Sequence, residues 1–508
     1  MSRMKVLPSY ERPNRKSVAL AANSALPEHA EDMEGRKQKP ARDELHPNGV
    51  PTGWLAALGE GMRRNQRRIQ STQWVIVLIY ILLVAIPAFL PLPGQLAHIW
   101  NNLTILAQFA FWGIWWPFVL LSMVLVGRAW CGLFCPEGAL SEVASRIGKG
   151  HATPRWIIWK GWPFVAFALT TIYGQMVSVY QYPKPALLIL GGSTCGAIAI
   201  GYLYGRNKRV WCRYLCPVNG VFGLLAKLSP VHFAVDQEAW TQSRRSGNTG
   251  VRAVNCAPLV AIKTMRGAAD CHMCGRCSGF RGAISLAPRS PNHEILHVAG
   301  ITPKPWESLL IIYGLMGIAV GAFHWSVSPL YVALKQALAG WLVDQNVLWP
   351  LRLQPPWWIL TDYPSVHDQM TVLDGGVLLL YIGATAMVIG FSLSFCLWLA
   401  ARCLGSSPVA RFHHLSQSLI PVAGCGVFLG LSGLTVTMLR AEGFALGFVG
   451  PLRALLLGGA TVWSIFLGWK ITGLASNHIP SRYAATVFVA LADATGFASW
   501  GVYFWVWQ

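Results

Sequence analysis

Apolar runs alternate with short polar and basic stretches along most of the chain. A helix rises 1.5 Å per residue, so a run of about 20 residues spans the ~30 Å hydrocarbon core of a bilayer. Nine runs meet that length, at about 74–92, 103–127, 156–180, 186–204, 307–327, 373–400, 415–439, 451–473 and 485–507. The pattern predicts an all-α polytopic membrane protein of about nine transmembrane helices. Two polar interruptions are longer. Residues 217–306 are basic and punctuated by Pro and Gly, enough for a small cofactor segment but not for a large core. Residues 328–372 carry Trp341, Trp349, Trp357 and Trp358 and read as an interfacial helix followed by a Pro-rich turn. Residues 1–73 are polar, rich in Pro, Asn and charge, and without a long apolar core. They predict a disordered basic arm and no cleavable signal peptide. The domain reading is therefore an arm over 1–73, membrane helices over 74–216, a polar segment over 217–306 and a C-terminal bundle over 307–508.

Charged residues make up 12% of the 508, about half the roughly 25% of a soluble domain. This excludes an ordinary soluble enzyme. Lys and Arg number 41 against 21 Asp and Glu, a formal charge of +20. In a soluble chain that excess would point to nucleic acid; here it predicts basic loops beside anionic lipid headgroups, with membrane lipids and no nucleic acid as partners. Arg63, Arg64, Arg67 and Arg68 precede the first run and place the N-terminus in the cytoplasm. Alternate loops agree: Arg128, Arg146, Lys149 and Arg155, then Arg206, Lys208, Arg209 and Arg213, then Arg402, Arg411 and Arg482. The intervening loops hold only Lys184, Lys335, Arg352, Arg440 and Arg453. No nucleotide-binding Gly loop, nucleophile elbow or zinc-protease helix is present in the sequence.

The cysteines carry the chemistry. Arg128-Ala-Trp-Cys-Gly-Leu-Phe-Cys-Pro136 recurs 81 residues later as Arg209-Val-Trp-Cys-Arg-Tyr-Leu-Cys-Pro217. Each copy ends a two-span hairpin, so the chain carries a duplicated hairpin with a CxxxCP motif at matching depth. Side-by-side packing of the hairpins would bring the motifs together. Cysteines four apart share one helix face, and the following Pro stops the helix. Cys131, Cys135, Cys212 and Cys216 thus supply four thiolates for a [4Fe–4S] or [2Fe–2S] cluster, or for zinc, with Arg128 and Arg209 offsetting the charge. A disulfide is disfavoured on a reducing cytoplasmic side.

Cys271-His-Met-Cys274-Gly-Arg-Cys277 is the opening of a bacterial ferredoxin run. Arg281 occupies the place of the usual fourth cysteine. Cys256, in Asn255-Cys-Ala-Pro258, is the nearest candidate for the fourth ligand, and His272 a weaker one; without either, a [3Fe–4S] cluster follows. Of the remaining cysteines, Cys195 reads as small-residue helix packing, and Cys396, Cys403 and Cys425 as apolar core. Ionisable residues within or beside the later runs are His324, His413, His414, Lys470, His478 and Asp493. The four histidines are candidates to hold a haem b or a quinone, and Asp493 to relay protons. On the outer loop, Asp362, His367 and Asp368 are candidates for a metal or a partner.

The doubled Trp-Cys-x3-Cys-Pro at span ends, followed by a ferredoxin-type run, resembles the NosR/NapH family of membrane ferredoxin-type proteins, a pattern shared by CcoG-like and MauN-like proteins. The resemblance covers about residues 74–290. Cys131, Cys135, Cys212 and Cys216 match the family's CxxxCP pairs, and Cys271, Cys274 and Cys277 match one ferredoxin run, which with the candidate Cys256 gives two [4Fe–4S] sites in a bacterial inner-membrane protein. The resemblance implies electron transfer between a quinone or cytoplasmic donor and a periplasmic redox protein or oxidase subunit, as in a quinol dehydrogenase-type or metal-reductase subunit. The alternative is copper or metal handling during assembly of an oxidase, since soft thiolates suit Cu(I). The chain departs from the family in having one ferredoxin run and no large outer flavin domain. Ile382-Gly-Ala-Thr385 and Gly458-Gly-Ala-Thr461 lack the leading hydroxyl of a flavin-attachment motif, so covalent FMN is not expected.

Overall fold

A computed structural model describes residues 53–94, 96–245, 254–405 and 407–507. The fold is built of helices. The described chain opens with two helices, α1 (Trp54–Arg64) and α2 (Gln66–Phe89). The expected disordered arm is therefore corrected over its final part, which is helical from Trp54, and the first span begins at Gln66 rather than 74. The reason is tertiary. A Cβ on Gly59 would touch Leu286 and Ser278, and one on Gly275 would overlap Met62, so α1 lies directly on the cysteine segment. Residues 1–52 of that arm lie outside the described residues.

The chain continues through α3 (Leu103–Val126), α4 (Ala129–Leu133), α5 (Pro136–Ile147), α6 (Trp162–Met176), α7 (Pro183–Tyr204), α8 (Val210–Tyr214) and α9 (Asn219–Ala226). The second half holds α10 (Pro305–His324), α11 (Val372–Cys403), α12 (Pro408–Ala441), α13 (Val449–Ala475) and α14 (Ile479–Val506). Among the described residues eight helices are long and apolar enough to cross a membrane. The expected span over 156–180 is the exception. Its helix, α6, has 15 residues, or about 22 Å, short of a full crossing. Gly161 before it and the turn bonds from Val179 N to Gly174 O (2.9 Å) and Tyr182 N to Ser178 O (3.1 Å) trim both ends.

Between α9 and α10 a two-stranded antiparallel sheet pairs β1 (Val231–Val235) with β2 (Ile284–Pro288), Phe233 opposite Leu286. It gives the cysteine segment a small apolar core with Met273 and Ile284. The main core lies among α10 to α14 and extends to α3 and α9. The expected interfacial helix is present at Pro329–Asp344, with Leu330, Val332 and Trp341 exposed.

The hairpins meet through α2 and α7, with Tyr80 donating to Leu190 O (3.2 Å), while α6 packs on α10 and α11. The helices that follow the motifs interlock the copies further. Helix α5, which follows the first motif, runs along α7 of the second copy, where a Cβ on Gly201 would overlap the Ser141 carbonyl. Helix α9, which follows the second motif, runs along α3 of the first. Small residues permit this close approach between helices.

Candidate iron–sulfur site

Each motif folds as one helical turn that stops short of its second cysteine. In the first, Phe134 N and Cys135 N both donate to Trp130 O at 2.9 Å. In the second, Leu215 N and Cys216 N donate to Trp211 O at 2.9 and 3.0 Å. The expectation that cysteines four apart share a helix face is corrected here. Cys135 is extended (φ −62°, ψ 117°) and caps α5, its Sγ accepting from Gly138 N at 3.4 Å. A residue before Pro is pushed out of the helical region, and Pro136 then opens the next helix. The second thiol of the first copy therefore stands at a helix N-terminus, where the dipole favours negative charge.

The interlocked helices bring Cys131, Cys135, Cys212 and Cys216 into electrostatic reach of one another. Arg128 and Arg209 are buried and cross between copies. Arg209 donates to Cys131 O (2.7 Å), and Arg128 donates to Asn219 Oδ1 (2.7 Å). Arg128 also donates to Ala269 O (3.0 Å), two residues before Cys271. Burial pushes the Cys212 thiol up to about 12 despite Arg209, and raises Cys135 and Cys216 as well. Thiols so placed hold thiolate charge only with a bound cation or cluster to compensate it.

Cys256, Cys271, Cys274 and Cys277 form a second group within mutual reach. Met273 (φ +51°) and Gly275 (φ +74°) bend the loop, and Met273 N donates to Cys271 Sγ at 3.4 Å. Cys256 stands within reach of the run. His272 turns away from it: buried, its Nδ1 without a protein partner, it lines the cavity beside the first quartet. The two quartets meet at Gly132, where a Cβ would overlap the His272 carbonyl and press on Cys274 N. Gln73 donates to Gly132 O (2.9 Å) and Gln66 to Cys274 O (2.9 Å), tying α2 to the junction.

Sequence reasoning passed over the acidic residues. Glu142 is buried and bridges Arg209, Arg276 and Arg146, each at 2.9 Å. Burial opposes its charge, yet Arg209 and Arg276 bring the carboxyl down to about 2. Glu137 receives a bond from Trp211 Nε1 (3.3 Å), and burial raises its pKa. The available signal was the rarity of acids: 21 in 508 residues, two of them within seven residues of Cys135.

Glu137 and all four cysteines of the first quartet line a cavity of about 240 Å³. Its walls are aromatic, with Phe111, Trp112, Trp115, Trp116, Tyr180 and Phe222. Helix α3 widens to i→i+5 turns over Phe109–Trp115, and α7 does so over Leu187–Gly191; both segments face the cavity. Thr170 and Thr171 of α6 and Ile189 and Ser193 of α7 line it too, although those helices do not pack closely on each other.

The candidate histidines are dispersed. His413 Nδ1 pairs with Ser308 Oγ (2.8 Å) at the first turn of α10, and His414 Nε2 with Ile295 O (2.9 Å) in the turn before it. His324 lies at the other end of α10, about 24 Å from Ser308 along the helix, stacked on Tyr503 at 5.2 Å. His478 is exposed and caps α14 through Ser481. The structure therefore brings neither an axial pair nor a quinone pocket together from them. Asp493 is fully buried in the middle of α14, both oxygens without a protein partner. Cys396, Cys403 and Cys425 pack on the main core; Cys195 is exposed on α7 and is not a packing residue. On the outer loop Asp368 accepts from Tyr182 Oη (2.6 Å) and Asp362 from Gln369 (2.7 Å). Among the described residues no three Cys, His, Asp or Glu side chains are placed to grip a single ion. A zinc site demands such convergence, whereas a cluster spreads its thiolates around a larger core.

A family described as a 4Fe-4S binding domain matches residues 108–155 and again 188–235, the two copies of the repeat. A protein named for electron transport, YccM of Escherichia coli (strain K12), is 21% identical over 231 residues, 40% of this chain and 62% of that protein. The methylamine utilization ferredoxin-type protein MauN of Methylorubrum extorquens is 27% identical over 164 residues, 29% of this chain and 50% of that protein. The regulatory protein NosR of Pseudomonas aeruginosa is 24% identical over 133 residues, 22% of this chain and 19% of that protein. The chain thus spans less than two thirds of each of these relatives. No solved structure matches it.

Proposed function

We propose, from the premise that the chain belongs to the NosR/NapH-like group of membrane ferredoxin-type proteins, that it is a membrane-bound iron–sulfur electron-transfer protein. Cys131, Cys135, Cys212 and Cys216 hold one [4Fe–4S] cluster, and Cys256, Cys271, Cys274 and Cys277 hold a second. A bound cluster of this kind supplies a one-electron store. The observation that carries the reading is the gathering of eight cysteines into two adjoining quartets. The chain's own residues provide the setting. Arg128 and Arg209 place positive charge against the thiolates, Glu142 fixes Arg209 and Arg276, and Gly132 lets the quartets approach.

The donor is a quinol whose ring enters the cavity from the lipid between α6 and α7. Beside the space that a cluster on the four cysteines would fill, the cavity offers a ring the faces of Trp112, Trp115 and Trp116, with Glu137 and His272 as hydrogen-bonding groups at the quartet end. The acceptor is a periplasmic redox protein or an oxidase subunit, reached through a partner because both quartets lie at one end of the bundle. The basic residues at that end, Arg63 and Arg64 of α1 among them, support the reading that it and the N-terminus face the cytoplasm at an inner membrane.

Anaerobic purification in detergent, with iron, sulfide and copper counted and EPR recorded after reduction, tests the reading. About eight irons and eight sulfides per chain are expected, as two [4Fe–4S] clusters require. About four irons, with copper lost on Cys131→Ser, would overturn it in favour of metal handling at the first quartet.

A further inference from the structure

The turn Glu294–Val298 joins the cysteine segment to α10 and winds with wide turns, Ala299 N donating to Glu294 O at 2.8 Å. It presents His293 and His297 to solvent, their ring centroids 5.2 Å apart and their planes at 46°. Residues four apart on a helical turn stand one above the other. Neither ring hydrogen-bonds to a described protein group. Burial, with His297 and Arg289 beside it, lowers the pKa of His293, which favours the neutral ring that binds metal. Two imidazoles at this spacing are the pair that a His-x3-His helix uses to grip zinc. The cysteines play no part in this turn, and the cavity lies elsewhere.

The residue between the two histidines is wired to the cysteine run. Glu294 is buried, paired with Arg289 at 2.6 Å, and accepts from Ala268 N (2.7 Å) and Ala269 N (3.3 Å). Cys271 N in turn donates to Ala268 O at 3.1 Å. Arg289 anchors the turn further by donating to Ser229 O (2.8 Å) and Ala226 O (3.0 Å). A load on the turn therefore reaches the first cysteine of the run through one carboxylate.

We propose that His293 and His297 chelate a divalent first-row cation of borderline softness, Zn²⁺ or Cu²⁺, and that its occupancy is transmitted through Glu294 to the Cys271–Cys277 loop. Imidazole suits both ions, Cu²⁺ binding the tighter, and water fills the remaining positions. The binding is independent of what the cysteines hold; the transmission rests on the second quartet carrying a cluster.

The test uses the full-length protein, purified anaerobically in detergent with its iron content measured. Calorimetric titration with Zn²⁺ alone should show one equivalent bound, weakened at least tenfold by His293→Asn or by His297→Asn and lost in the double variant, with iron content unchanged. No zinc bound by the natural protein, or unchanged binding by the double variant, overturns the site. Zn²⁺ should also protect both imidazoles from diethylpyrocarbonate in the natural protein; equal modification with and without zinc overturns the site without needing any variant. Zinc should shift the EPR-monitored reduction potential of the second cluster in the natural protein and not in the double variant. Intact binding with no shift overturns the transmission alone, whereas a protein that binds zinc but holds no iron would sink the cluster reading instead.

Discussion

In both copies of the repeat an Arg enters, a Trp carbonyl accepts the next two turn bonds, and a Pro follows the second cysteine. The residues around that frame then differ. Gly132 of the first copy corresponds to Arg213 of the second, Glu137 to Val218 and Glu142 to Gly223. Gly132 lies against the His272 carbonyl, whereas Arg213 reaches outward to Asp270 at 2.6 Å with both partners partly exposed. Glu142 gathers three arginines, whereas a Cβ on Gly223 would stand 3.3 Å from the Ala269 carbonyl. The frame is thus shared, while contact with the second quartet is divided unequally. The first copy lies between the quartets and carries the acids; the second leads the chain into the cysteine segment.

Five substitutions would break or sharpen this comparison. The largest effect is expected where the copies act alike. Cys135→Ser and Cys216→Ser should each remove the same cluster, about half of the bound iron, and leave the signal of the other. Two different losses in iron analysis and EPR would mean that the copies do not share a site. Glu142→Gln comes next. It leaves Arg209 buried without its carboxylate and should destabilise the fold by about 3–5 kcal/mol in denaturant melts. The same carboxyl has a folded pKa of about 2 against an ordinary 4.5. Its contribution is therefore full above about pH 4.5 and is lost as pH falls from there towards 2, a dependence that the Gln variant should lack.

Gly132→Ala should cost about 1–3 kcal/mol by overpacking and should broaden the EPR of both clusters, because the added methyl meets backbone rather than a movable side chain. Arg213→Ala, the matching position in the second copy, removes a partly exposed ion pair and should cost less than about 1 kcal/mol. Similar losses at the two positions in parallel melts would erase the asymmetry.

Much of this was legible in the chain itself. The apolar runs, the doubled motif and the eight cysteines are local patterns, and among the described residues the structure forms eight long apolar helices from the runs. Misjudged features depended on neighbours. Residues 54–73 read as an arm because their composition is polar; packing of Gly59 and Met62 on the cysteine segment makes them helical. The histidines were grouped by chemical type, but His324 and His413 sit at opposite ends of their helices. The cavity has no sequence signature, since its walls come from α3, α6, α7, α9, α10 and α12.

What the sequence determined by itself is therefore the membrane class, the repeat and the candidate thiols. Each follows from spacing within one stretch of chain: hydrophobic length, a nine-residue pattern repeated, and a C-x2-C-x2-C run. Only the tertiary structure decided that the helices after each motif interlock the copies, that Arg209 and Glu142 meet between the quartets, and that an aromatic cavity lies beside one of them. Those outcomes depend on which helix backbones can approach closely and on which buried charges find partners. Both are set by residues tens to hundreds of positions apart, so no local window contains them.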